Sequence, residues 1–230
     1  MYKYSPENAA IYGKLGVIGT TYEVSFNEMA RVLGEISGGR VLDYGCGAGR
    51  STQLVKTLGA KEVIGVDHDA NMIEQAKRLQ ENGISFQLIT DRIPLPDEYV
   101  DAAVCAHVWV EIKSKDEMIQ SAKEMARVMK RDGILVVIST NPDSIGCEYV
   151  SYAYKKVGNP RSGDPITCIL KGENSFEIDD VYWTEQDYLK VLEEAGFSHI
   201  NVSYPLAEGE GWLEETNVAP DIVIKAIKST

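Results

Sequence analysis

The sequence predicts an α/β protein: a doubly wound, mostly parallel seven-stranded sheet with an antiparallel edge hairpin and a lid insertion. Three observations predict it. Between residues 40 and 140, short apolar runs alternate with amphipathic helical stretches, which implies parallel pairing with both sheet faces covered. The first of these runs feeds a glycine-rich turn and then a helix, as in α/β folds that bind a ligand at the carboxyl ends of their strands. Two later apolar stretches, 199–204 and 221–227, are joined by a long link, consistent with an antiparallel pair at a sheet edge.

Each element follows from local chemistry. Arg40-Val41-Leu42-Asp43-Tyr44 is the first strand. The helix after its turn carries Leu54, Val55 and Leu58, and Gly59 suits its end. Glu62 to Val66 is the second strand, closed by Asp67, and Asp69 is an N-cap for a helix bearing Met72, Ala76 and Leu79. Ile84–Ile89 and Asp101–Cys105 read as the third and fourth strands. Ser114 and Glu117 form a capping-box pattern before a helix with Met118, Ala122, Met125 and Met129 on one face. That methionine stripe has the helical period and reads as core packing. Gly133 opens the apolar strand Ile134–Ile138.

After residue 140 the pattern breaks. Residues 141–183 hold Pro142, Pro160 and Pro165 and show no clean period. Regular structure resumes at Thr184 with a helix bearing Tyr188, Val191, Leu192 and Ala195, followed by Gly196. One domain over 1–230 is expected, with 1–38 as an N-terminal helical lid and 141–183 as a substrate lid. These regions are rich in aromatics: segments 1–30 and 141–183 hold 11 of the 19 aromatic residues. Water-excluding lids over an aromatic-walled pocket are the expectation, with Tyr4, Tyr12, Tyr22, Trp109, Tyr149, Tyr182 and Trp183 as its walls.

Composition excludes several classes. The 230 residues are 44% hydrophobic and 25% charged, ordinary globular usage. The net charge of −12 repels phosphate backbones and anionic membranes, so neither nucleic acid nor membrane is an expected partner. No 18-residue apolar run exists, and the opening MYKYSPENAA is not a signal peptide. A cytoplasmic protein, monomeric or homodimeric, is expected. Cys46, Cys105, Cys147 and Cys168 form no Cys-x-x-Cys pair, and no metal is expected.

Two motifs carry chemistry. Asp43-x-Gly45-x-Gly47-x-Gly49 lets the backbone turn tightly and a ligand approach it. The dinucleotide fingerprint G-x-G-x-x-G fails here because Arg50 stands where its last glycine is required, which disfavours a nucleotide-dependent reductase. Asp67 follows Gly49 by eighteen residues at a strand end, where an acid accepts hydrogen bonds from ribose hydroxyls. Asp91 ends the third strand on the same edge.

At these residues the sequence resembles the class I S-adenosylmethionine-dependent methyltransferases, in particular the small-molecule branch with its Rossmann-like fold. VLDYGCGAGRST resembles their first motif and VIGVDHDANMIEQAK their second. ITDRIPLPDEYVDAAVCAHVWVEI resembles the stretch from the adenine pocket into the fourth strand, and EMARVMKRDGILVVIS the fifth-strand region. The likeness continues loosely through WTEQDYLKVLEEAGF. The resemblance implies that S-adenosylmethionine is the cofactor and S-adenosylhomocysteine the product. It implies that Asp43, Gly45, Cys46, Gly47 and Gly49 line the methionine moiety and that Asp67 holds the ribose. His68 and Met72 then lie beside the adenine, Asp91 and Arg92 contact it, and Ala106 borders the site.

Ala106-His107-Val108-Trp109 is not the Asn/Asp-Pro-Pro-Tyr/Phe sequence of amino-methylating DNA and glutamine methyltransferases. Its absence fits an oxygen, sulfur or non-planar nitrogen acceptor. His107 is the candidate general base, since neutral imidazole can take the acceptor's proton. Glu111, Asp179 and Asp180 are further candidates. The expected reaction is methyl transfer to a small-molecule acceptor, with a non-catalytic S-adenosylmethionine-binding protein or a protein or RNA methyltransferase as alternatives.

Overall fold

The computed structural model describes residues 3–90, 92–172 and 175–229. Two helices come first, α1 (Pro6–Lys14) and α2 (Thr21–Leu33). There follow β1 (Arg40–Tyr44), α3 (Arg50–Thr57), β2 (Glu62–Asp67), α4 (Ala70–Ala76), β3 (Ile84–Leu88), β4 (Val100–Ala106), α5 (Lys115–Val128) and β5 (Met129–Thr140). The chain then forms β6 (Tyr152–Tyr154), β7 (Pro165–Leu170) and β8 (Phe176–Val181), and closes with α6 (Glu185–Glu194), β9 (Phe197–Ser203) and β10 (Asp221–Lys228).

The main sheet has the order β3-β2-β1-β4-β5-β10-β9. β1 to β5 pair in parallel, and β10 runs antiparallel to both β5 and β9. This is the expected seven-stranded sheet with its antiparallel edge pair. The order reverses at β1, whose neighbours are β2 and β4, so the crevice at the carboxyl ends of these strands is the switch point where open α/β sheets bind ligands.

Both faces are covered. On one, Phe26, Met29 and Leu33 of α2 and Val55 of α3 pack on Val41, Val136, Ile138 and Val223. On the other, Met118, Ala122 and Met125 of α5 and Tyr188 and Leu192 of α6 pack on Leu42, Leu135 and Ile224. The methionine stripe is thus core. It is shorter than the sequence suggested, because α5 ends at Val128 and Met129 begins β5. Each large side chain buried here stabilises the fold by about 1.5–3 kcal/mol. The helices start where capping predicts: Asp69 accepts from the amides of Asn71 and Met72, Ser114 from Glu117, and Thr184 forms a full capping box with Asp187.

Two expectations change. Of the N-terminal region, the α1 end and the first turn of α2 with Tyr22 lie at the crevice; the rest of α2 is a core layer, because its apolar face is wide enough to cover β5 and β10. The segment 141–183 is no irregular loop either: β6, β7 and β8 form a separate antiparallel sheet. Its inward side chains do alternate, with Tyr152 and Tyr154, then Ile166, Cys168 and Leu170, then Ile178 and Asp180 all buried. A three-residue strand and an inward-facing aspartate hid that period from the sequence. Glu215 ties the parts together: its buried carboxylate accepts from the Thr21 hydroxyl and the Val150 amide, both at 2.7 Å.

Candidate active site

The glycine turn leaves β1 and enters α3. Gly45, Gly47 and Gly49 have φ of 70°, 52° and 93°, which L side chains rarely adopt. A Cβ on Gly45 would lie 2.1 Å from Val108 Cγ2, so this glycine lets β1 meet the turn after β4. A Cβ on Gly47 would meet nothing nearer than Tyr12 Cε1 at 3.8 Å, so this glycine leaves the cavity open. Asp43 lies beneath the turn, fully buried. Its Oδ2 accepts from Ser51 at 2.7 Å and Thr52 at 2.5 Å, and burial pushes its pKa up to about 6. The Cys46 side chain packs inward with Ile73, Ala76 and Phe86.

Asp67 ends β2. Its two oxygens accept from the amides of Gly47 and Asp69, both at 2.8 Å, and burial raises its pKa. It therefore holds the glycine turn against the start of α4, with lone pairs left for further donors. Asp69 caps α4 and also accepts from the Tyr4 amide at 2.8 Å, while Asn71 Nδ2 donates to the Tyr4 carbonyl at 2.8 Å. These bonds clasp the N-terminal segment over the crevice. Gly45, Gly47, Asp67, Met72, Ala106 and His107 are among the residues around a cavity of about 50 Å³ beneath it. A wider cavity of about 690 Å³ lies beside Tyr44, His68, Ile89 and Arg92. The Asp91 expectation lies outside the described residues.

His107 occupies the turn after β4 with φ 58° and donates its amide to Ile138. Its Nε2 lies 3.2 Å from Asp221 Oδ1, close but off the line of a hydrogen bond. The Tyr22 ring meets the imidazole edge-on at 5.5 Å. Asp221 is buried at the start of β10 and also accepts from the hydroxyls of Ser25 and Tyr152.

A third cavity of about 40 Å³ lies under the three-stranded sheet, walled by Tyr22, Tyr152, Tyr154, Cys168, Ile178 and Asp180. It shares Tyr4, Tyr12, His107 and Glu111 with the first. The Arg50 guanidinium lies 4.3 Å from the Tyr12 ring centre and 4.1 Å from that of Tyr22, favourable cation–π geometry.

The structure thus brings together Tyr4, Tyr12, Tyr22, His107, Glu111 and Asp180. It leaves others out. Trp109 is fully buried in the core, stacked on Tyr188 and donating to Ser121 Oγ, because the residue two after His107 turns under the sheet. Trp183 donates to the Ile112 carbonyl from the same core. Tyr149 is buried behind Tyr152 with its hydroxyl on the Ala219 carbonyl, Tyr182 packs at the rim of that cluster, and Asp179 faces solvent. Sequence reasoning missed Asp221, Tyr152, Tyr154 and Arg50 as site residues. The Tyr-x-Tyr spacing at 152 and 154 was the available signal; nothing local marked Asp221.

Residues 42–137 match the family model described as "Methyltransferase domain". The N-demethylindolmycin N-methyltransferase of Streptomyces griseus is 29% identical over 71% of this chain and 71% of its own. The ubiquinone biosynthesis O-methyltransferase of a Bradyrhizobium species is 32% identical over 54% of this chain and 52% of its own. The crystal structure of the S-adenosylmethionine dependent methyltransferase from Mesorhizobium loti superposes with a TM-score of 0.65 at 18% identity, over 89% of this chain and 98% of that one. Family model, relatives and strand order agree: the chain belongs to the class I S-adenosylmethionine-dependent methyltransferases.

Proposed function

We propose that this enzyme methylates a small molecule held in the tyrosine-walled cavity, with the cofactor on the opposite side of His107. The observation that carries this reading is the shared wall: Tyr4, Tyr12, His107 and Glu111 border both cavities. A donor on one side and an acceptor on the other would meet there, and alignment of reacting groups is the main thing a methyltransferase must supply.

The residues fit the cofactor. Gly47 leaves room for close backbone approach, and Asp67 presents buried carboxylate oxygens suited to a pair of hydroxyls. When bound, S-adenosylmethionine supplies a methyl group activated by its sulfonium. Gly45, Gly47 and Gly49 shape its methionine side, with Asp43 and Cys46 as the supports of that turn. Asp67 holds the ribose, Met72 and Ala106 border it, and His68 and Arg92 flank the adenine in the wide cavity. His107, oriented by Asp221, takes the acceptor's proton. The β6–β8 sheet and the Tyr4 segment keep water out, which strengthens every polar contact inside.

A small acceptor agrees with the two curated relatives, whose names are those of small-molecule methyltransferases. Net charge −12 opposes RNA. Among the described residues no helix is long and apolar enough to cross a membrane. The test is a cell extract supplied with S-adenosylmethionine tritiated in its methyl group. Enzyme-dependent label is expected in the low-mass fraction, and label confined to protein or RNA overturns the reading.

A further inference from the structure

We infer that Asp180 selects the acceptor: its Oδ1 takes a hydrogen bond from an N–H or O–H group of the acceptor that is separate from the atom methylated. This rests on the small-molecule reading above and adds a second polar group that the acceptor must carry.

Asp180 is 2% exposed. Along β8, Glu177 and Asp179 face solvent while Ile178 and Asp180 turn into the cavity under the three-stranded sheet. Ile166 lies directly opposite on β7 and Cys168 is the next inward residue, so the carboxylate is set among apolar and aromatic side chains. Oδ2 accepts from the Tyr154 hydroxyl at 3.2 Å, and the Thr140 hydroxyl lies 2.7 Å from that of Tyr154. Oδ1 is buried and has no hydrogen-bond partner among the described residues.

Buried carboxylates that serve the fold are built differently. Glu215 engages one oxygen with the Thr21 hydroxyl and the Val150 amide, and the other with the Leu213 amide. Asp187 likewise engages both, with Lys115 on one side and Ser162 and Thr184 on the other. An unsatisfied buried carboxylate oxygen is costly until a donor completes it. Burial also holds the Asp180 pKa well above the usual carboxylate range, and a donor at Oδ1 favours the ionised form that burial opposes.

Position separates the two polar groups of the acceptor. His107 and Tyr12 border both the cofactor cavity and the tyrosine cavity, whereas Asp180 borders the tyrosine cavity alone. The atom that receives the methyl group lies at the shared wall, so the group on Asp180 belongs to the acceptor's other end. Two fixed ends hold the nucleophile in line with the methyl donor. At about 40 Å³ the cavity is smaller than the roughly 300 Å³ of an ordinary ligand pocket, so the acceptor spreads the surrounding tyrosines as it enters. A molecule without the donor group would then leave Oδ1 unpaired, and a site built around such a hydrogen bond rejects the analogue that lacks it.

The test gives the enzyme the small-molecule fraction of a cell extract and S-adenosylmethionine with a trideuterated methyl group. Products are read by tandem mass spectrometry before and after transfer to heavy water. The labelled product is expected to carry an exchangeable hydrogen on an atom other than the methylated one. A product with none overturns the inference and leaves small-molecule methylation standing; absence of any low-mass label overturns both. With the labelled acceptor purified, Asp180→Asn should raise its KM tenfold or more while S-adenosylhomocysteine affinity stays within twofold. Tyr154 would hold the amide oxygen as it holds Oδ2, so the variant turns an N–H toward the acceptor's own donor. An unchanged or lower KM overturns the inference: Oδ1 then meets a buried water, or the carboxyl gives its proton to the acceptor. Should Asp180→Asn fail to fold, Tyr154→Phe, which releases Oδ2, should raise the same KM at least threefold, and an unchanged KM overturns the inference.

Discussion

Nε2 of His107 stands 3.2 Å from Oδ1 of Asp221, joining the turn after β4 to the first residue of β10. The contact crosses β5, and Tyr22, Ser25 and Tyr152 pack around it. A histidine with φ 58° held against a buried acid is the kind of constrained residue found at functional sites. His107→Ala should lower kcat by about a hundredfold with S-adenosylhomocysteine affinity unchanged. His107→Gln should recover most of the loss only if the imidazole positions the acceptor without taking its proton. Asp221→Asn should also lower kcat, and the double variant with His107→Ala should be no slower than His107→Ala alone, because coupled residues do not add. Additive losses would show that Asp221 acts elsewhere.

Asp67→Ala should weaken S-adenosylhomocysteine binding by about 1–3 kcal/mol, measured by calorimetry. It should also lower Tm, since the carboxylate holds the amides of Gly47 and Asp69. Asp67→Asn keeps the shape but turns an amide donor toward one of those amides, so it should lose affinity as well. A lower Tm with full affinity would make Asp67 a tie for the turn alone.

The two glycines of the turn should fail differently. Gly45→Ala places a methyl 2.1 Å from Val108 Cγ2, and the protein should be recovered poorly or unfolded by circular dichroism. Gly47→Ala meets open space and carries only the strain of its φ of 52°, about 1–3 kcal/mol. It should fold and lose cofactor affinity tenfold or more. Equal behaviour of the two variants would contradict the division of roles.

Asp43 should leave a signature in the pH dependence of stability. Its pKa in the folded state is about 6, above the 3.8 of an unperturbed aspartate, chiefly because it is buried. An acid whose pKa is raised by folding contributes stability that is complete below pH 4 and is lost as pH rises through 6. The loss amounts to up to about 3 kcal/mol. Asp43→Asn does not titrate, so its stability relative to the parent should climb between pH 4 and pH 7. A constant difference in denaturant midpoint over that range would refute the assignment.

Much of this protein was legible in the sequence because it depends on local chemistry. The parallel core followed from periods of apolar residues, the helix starts from Asp69, Ser114 and Thr184, and the tight turn after β1 and the strand-end acid beside it from Gly45, Gly47, Gly49 and Asp67, each set by its own φ or its place at a strand end. The acceptor side was not legible in that way. Trp109 and Trp183 read as pocket walls by composition, yet they fill the core, since an aromatic side chain is placed by the layer its backbone enters. Tyr152, Tyr154 and Asp180 meet Tyr22 only because β6, β7 and β8 fold into a sheet over the crevice. Asp221 reaches His107 only because β10 inserts beside β5. Local sequence encodes backbone preference and periodicity, and these fix elements; which distant side chains share a cavity is decided by strand order and packing, which no short stretch of sequence contains.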